Sequence, residues 1–162
     1  MWRKIMKIKY DTITPAATIP TYATSGAAGA DLVATSVEYR RDLGLIIYDT
    51  GLIVEIPEGY EGQIRARSSL ILTPWYVPHG IGTIDSDYRG TIKVVYAPRY
   101  TDRNLYDLPL PFAVGERCAQ LVIAPVIKAE FIKEEPNATI RQDKGFGSTG
   151  RAKLNLTKRK DQ

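Results

Sequence analysis

Residues able to do chemistry fall in five short segments. The densest is Gly82-Thr83-Ile84-Asp85-Ser86-Asp87-Tyr88-Arg89-Gly90. Its flanking glycines let backbone amides and carbonyls approach a flat ligand closely. A carboxylate at such a tip can act as a general base, and a neighbouring tyrosine can stack on a sugar or base. Taken alone, the same residues also describe a plain hairpin with solvated aspartates. Ala28-Gly29-Ala30-Asp31-Leu32 places an acid after a glycine turn at the start of a strand. Arg67-Ser68-Ser69-Leu70 sets a guanidinium and two hydroxyls beyond a strand end, a set suited to phosphate. In Gly115-Glu116-Arg117-Cys118-Ala119-Gln120-Leu121-Val122, Gln120 sits in an apolar run. A buried amide there needs partners, because leaving it unpaired costs about 1–3 kcal/mol. Gly145-Phe146-Gly147-Ser148-Thr149-Gly150 cannot build a core, but it can wrap phosphates through its amides and lay a ring on a base. Arg141 stands four residues upstream of that loop. It is not a Walker A loop, since no Gly-Lys-Ser/Thr follows.

These elements call for a scaffold of short strands. Leu45 to Tyr48, Leu52 to Ile56, Gln63 to Arg67, Thr91 to Tyr96, Leu121 to Ile127 and Glu130 to Ile132 are apolar or alternating runs separated by turn signals. Met6, Ile8 and Tyr10 alternate with Lys7 and Lys9, which predicts a further strand. The pattern predicts an all-β sandwich or barrel. Ser69 to Leu72 predicts at most a helical turn, ended by Pro74. Residues 97–111 read as a long surface excursion rather than a second domain.

Composition removes several alternatives. A chain of 162 residues with 44% hydrophobic content fits one domain with a real core. His79 is the only histidine and Cys118 the only cysteine, so a multi-histidine metal site and an internal disulfide are excluded. Cys118, inside an apolar run, reads as a small core residue. No apolar stretch is long enough to span a membrane and the N-terminus lacks a secretory core, which points to a reducing compartment, cytoplasm or nucleus. The net charge of +4 lies wholly in the last twelve residues, where Arg151, Lys153, Lys158, Arg159 and Lys160 face only Asp161. The body is neutral. The tail reads as solvated, with nucleic-acid or protein contact as the alternative.

Together and in this order, the five segments resemble the trimeric deoxyuridine triphosphatase (dUTPase) family from about Met6 to Gly150. The resemblance implies a jelly-roll-like β-sandwich in residues 1–140, a glycine-rich arm in 141–150 and a basic tail in 151–162. It implies a homotrimer with active sites shared between subunits. It further implies Mg²⁺-dependent hydrolysis of dUTP to dUMP and pyrophosphate. On the matching positions, Asp31 would help hold Mg²⁺, largely through water. Arg67, Ser68, Ser69 and Gln120 would meet the phosphates. Gly82, Thr83 and Ile84 would read uracil by their backbone, Asp85 would activate water, and Tyr88 would pack under the sugar. His79, where many relatives carry Asn, and Lys93 complete the substrate set on the body. From the arm, Arg141 would reach the γ-phosphate, Phe146 would cover the base, and Gly147, Ser148 and Thr149 would wrap the phosphate tail. A related deaminase of dCTP would need an acid that Thr91-Ile92-Lys93-Val94-Val95 lacks. A non-hydrolytic nucleotide-binding regulator is the alternative of another class.

Overall fold

Alternation of apolar and polar residues turns one face of several strands inward, as in β4 and β6, and the described residues of the computed structural model form ten strands. The structure describes residues 5–100, 104–140 and 143. The chain divides into two units, residues Met1–Lys128 and Ala129–Gln162.

The first unit holds all the strands among the described residues. They are β1 (Lys9–Thr12), β2 (Ala30–Val33), β3 (Ser36–Arg40), β4 (Leu45–Asp49), β5 (Leu52–Glu55), β6 (Tyr60–Ala66), β7 (Trp75–Tyr76), β8 (Gly82–Ile84), β9 (Lys93–Pro98) and β10 (Arg117–Pro125). One four-stranded sheet runs β2-β10-β6-β8 and another β3-β4-β9-β7, with β1 and β5 forming a separate pair. All pairings are antiparallel. Leu32, Ile64, Cys118 and Leu121 from the first sheet join Ile46, Tyr48, Val94 and Tyr96 from the second in one apolar core. This is the expected β-sandwich.

Several expectations need adjustment. Residues 97–111 are not simply a surface excursion. Leu105 and Leu108 are buried, and the Trp75 indole donates to the Pro109 carbonyl at 2.7 Å. Their apolar side chains pay back the length of the connection. The Tyr48 hydroxyl donates to the Phe112 carbonyl and the Tyr96 hydroxyl to the Cys118 carbonyl, each at 2.5 Å. Burial pushes the Tyr48 hydroxyl up to about 12 and the Cys118 thiol up to about 12, and it raises Tyr96 as well. Cys118 is thus the inert core residue its surroundings suggested. A 3-10 turn spans Ser68–Leu72, and Thr73 is extended, as the residue before a proline should be.

In the second unit, Glu130 to Ile132 form no strand, and Phe131 and Ile132 are exposed. A strand requires a neighbouring backbone, and among the described residues none pairs with this segment.

Candidate active site

The middle of the β2-β10-β6 sheet gathers three of the polar residues singled out above. Gln120 on β10 faces Asp31 on β2 and Arg65 on β6, so all three side chains share one face. Asp31 is only 4% exposed, and three groups answer its charge. Gln120 Nε2 donates to Oδ1 at 3.1 Å, Arg117 Nη1 donates to Oδ2 at 3.0 Å, and Arg67 Nε lies 3.6 Å from Oδ1. Arg67 Nη1 also donates to the Arg117 carbonyl at 3.2 Å. Stripping a partner from a buried charge costs about 3–5 kcal/mol, so these groups hold one another in place. Gly29 belongs to the same device, since a Cβ there would come within 2.9 Å of the Gln120 Cβ. Ser68 and Ser69 follow Arg67 and are exposed.

Arg117 is the residue that motif reading missed. A register shift in β10 between Arg117 and Ala119 inserts one extra residue against β2. Without that bulge, Arg117 would lie on the same face as core residue Ala119. With it, Arg117 faces Val33, on the side of Asp31. Bulges re-aim side chains in this manner. The signal was a charged residue two positions before a buried alanine, which strict alternation cannot place.

The Asp85 turn is organised differently. It follows β8, an edge strand that pairs with β6 alone. Asp85 is exposed and its carbonyl accepts from the Tyr88 amide at 3.2 Å. Arg89 Nη1 donates to the carbonyls of Ser86 and Tyr88 at 2.7 and 2.8 Å, fastening the turn from outside. The Tyr88 hydroxyl donates to the Thr91 carbonyl at 3.0 Å, laying the ring over Gly90. A Cβ at Gly90 would meet that ring, so only glycine allows the arrangement. An open cleft of about 910 Å³ adjoins the turn, lined by Asp85, Asp87, Arg89, Glu58 and Glu61 among others. His79 is exposed, and its imidazole approaches Gly82. Gly82, Thr83 and Ile84 hold Ile64, Gln63 and Gly62 of β6 on one side. Their other backbone edge belongs to no described sheet pairing.

The fold keeps these two groups apart. Ile84 faces Gly62, whereas Arg67 follows the other end of β6. Five steps of strand separate Gly62 from Arg67, about 17 Å along the backbone. Lys93 belongs to neither group, because it lies on β9 in the other sheet with its ammonium 3.7 Å from Asp49. Arg141, Phe146, Gly147, Ser148 and Thr149 lie outside the described residues.

The dUTPase family model matches residues 16–150. The chain belongs to the dUTPase family. It is 45% identical over 148 residues to the deoxyuridine 5'-triphosphate nucleotidohydrolase of Hydrogenobaculum sp. (strain Y04AAS1), covering 90% of this chain and 99% of that one. Identity to the enzyme of the same name from Helicobacter pylori (strain Shi470) is 41% over 150 residues, covering 91% and 99%. Among solved structures, a variant of the Staphylococcus bacteriophage 80alpha dUTPase, solved with dUpNHpp, superposes with a TM-score of 0.73 at 26% identity, covering 90% of this chain and 99% of that one. Membership in the dUTPase family places the chain among enzymes that hydrolyse dUTP, the dUTP diphosphatases. The dUTPase of phage phi11 of S. aureus, described with a structural Mg(II) ion, shares the fold at 22% identity, a TM-score of 0.64 and coverage of 81% and 98%.

A metal ion can be tested against the donors present. Among the described residues no group of three or more His, Cys, Asp or Glu side chains could hold one. Asp31 is buried and both its oxygens already face donors, so it does not fit as a direct ligand. No helix among the described residues is long and apolar enough to cross a membrane.

Proposed function

We propose that this chain is a homotrimeric, Mg²⁺-dependent enzyme that cleaves dUTP to dUMP and pyrophosphate at a site shared between copies. Asp85 takes a proton from water as its oxygen bonds to the α-phosphorus. The bond from that phosphorus to the bridging oxygen breaks, and pyrophosphate leaves with the electron pair. Arg67, Ser68, Ser69 and Gln120 hold the phosphates and stabilise the charge that grows on them. The free backbone edge of Gly82, Thr83 and Ile84 offers the alternating donors and acceptors a pyrimidine edge requires. His79 flanks that edge, and Tyr88 lies where a ring can pack under deoxyribose. Lys93, on β9 in the other sheet and paired with Asp49, has no part in this reading. Arg141, Phe146, Gly147, Ser148 and Thr149 close over the nucleotide from the arm. Mg²⁺ would be carried by the triphosphate, where it would neutralise charge. The biological product is dUMP, and removal of dUTP keeps uracil out of DNA wherever it is copied, in cytoplasm or nucleus.

The observation that carries this reading is the division of the site along β6. A cradle for anions and an exposed carboxylate lie toward opposite ends of β6 in one copy. A second copy resolves that, bringing its Asp85 turn to the first copy's cradle.

The test is pyrophosphate release from dUTP, dTTP, dCTP and UTP in parallel, with Mg²⁺ and with EDTA. Release from dUTP alone, lost in EDTA, is expected. Ammonia from dCTP would replace this reading with a deaminase. Silence from all four would replace it with a nucleotide-binding regulator.

A further inference from the structure

We propose that Asp31 and Arg117 are positioning residues of the phosphate cradle, acting through Arg67 and Gln120 before any metal ion arrives. The inference rests on the reading of this cradle as a triphosphate site. Four observations converge on it. Asp31 is almost wholly buried, yet it neighbours two guanidiniums and an amide. The β10 bulge exists at the one place that turns Arg117 toward Asp31. Arg117 then holds Arg67 twice over, by fixing the carboxylate that faces Arg67 Nε and by offering its own carbonyl to Arg67 Nη1. Gly29 leaves the space that Gln120 fills.

The donor chemistry says what this arrangement is for. A guanidinium has five N–H donors, and Arg67 commits one of them to the Arg117 carbonyl and turns its Nε toward Asp31, leaving the others for an anion. An ionised carboxylate only accepts, so Asp31 forces the NH₂ of Gln120 inward and leaves its carbonyl oxygen to order water. One negative charge against two positive ones leaves the cradle with a net positive charge. A carboxylate so engaged sets the direction of its cationic neighbours and has no free face for an ion.

The experiment is calorimetric titration of the analogue dUpNHpp, in EDTA and in Mg²⁺, into the wild-type chain and Asp31→Asn, Arg117→Gln and Arg117→Lys. Asp31→Asn and Arg117→Gln should each weaken binding in EDTA by about tenfold or more, with a similar factor in Mg²⁺. Arg117→Lys should recover part of the loss. Wild-type affinity of Asp31→Asn in EDTA, with only a higher Mg²⁺ midpoint, would overturn the proposal and make the carboxylate a metal anchor. Should Asp31→Asn fail to fold, Arg117→Gln decides, because its guanidinium is half exposed and its removal leaves the carboxylate in place. The metal-anchor reading then predicts a lower Mg²⁺ requirement, since an oxygen is freed, and positioning predicts weaker binding in EDTA. Tripolyphosphate serves as a second probe. If the wild-type chain binds it but neither binds dUpNHpp nor cleaves dUTP, the substrate reading fails while the cradle is still tested.

Discussion

The anion cradle and the Asp85 turn are built by opposite means. Asp31, Arg117 and Gln120 come from two strands, β2 and β10, and Arg67 from the segment after a third, β6, and they meet around a buried charge. The turn uses contacts no more than three residues apart, namely Tyr88 to Asp85, Arg89 to Ser86 and Tyr88 to Thr91. Its carboxylate stays in water. Rigid placement suits the part that must hold a highly charged chain before reaction, since preorganised donors cost no rearrangement. In the proposed shared site, an exposed carboxylate that meets a group from another copy suits a locally braced loop. Under the proposed function, binding belongs to the cradle and proton transfer to the turn.

The largest effect should come from separating those two parts. Asp85→Asn should lower dUTP turnover by about 10²–10⁴-fold while dUpNHpp affinity stays near wild type. Arg67→Met should also abolish turnover, but by losing affinity. Mixing the two inactive proteins under conditions that let copies exchange should restore activity at roughly a quarter of the sites, because some sites then pair an intact turn with an intact cradle. No recovery after proven exchange would place the whole site within one copy and break the comparison. An active Asp85→Asn protein would remove Asp85 as the base.

A smaller effect should follow from loosening the turn alone. Arg89→Met deletes two donations to carbonyls and touches no core residue. Turnover should fall by about tenfold with little change in KM, and Tm should shift by less than about 1 °C, as for a surface substitution. Arg89→Lys should recover part, since an ammonium can donate to both carbonyls as the single Nη1 does, but from a shorter and more flexible stem. A rise in KM with unchanged kcat would mean that Arg89 serves binding, and the division of labour would need redrawing.

How far the sequence disclosed this depends on the kind of contact. Local chemistry was legible. The turn around Asp85, the strand bearing Asp31, the helical turn after Arg67 and the partner-seeking amide of Gln120 could all be read from neighbouring residues. What depended on distant partners was not. Arg117 joins the cradle only through a bulge, and strict alternation gives no sign of an added residue. Leu105 and Leu108 sit in a proline-rich, charged stretch, yet they are drawn into the core beside aromatic donors from remote strands. Glu130 to Ile132 has the composition of a strand but no described partner to pair with. The body of the site was therefore easier to read than its supports.

The smallest effect on turnover concerns the layer beneath the cradle, whose pH dependence lies in alkali. The Tyr96 hydroxyl donates to the carbonyl of Cys118, the residue next to Arg117. Tyr96, Tyr48 and Cys118 all have folded-state values raised above their ordinary ones by burial. A raised value means that folding favours the protonated form. The resulting stability is fully present below the unfolded values, near 9 for the thiol and 10 for the phenols, and it is lost as pH rises through the folded ones. Tm should therefore be level from pH 7 to about 9 with respect to these groups and decline from there to about pH 12. Cys118 should react with a thiol reagent only as the fold opens. Tyr96→Phe should reduce the alkaline decline but lower stability at neutral pH by about 1–3 kcal/mol, because the Cys118 carbonyl loses its buried donor. If dUpNHpp binding weakens in Tyr96→Phe while Asp85-dependent turnover at saturation holds, the core beneath the sheet supports the cradle more than the turn. If both fall together, the two halves of the site are less independent than their contacts indicate.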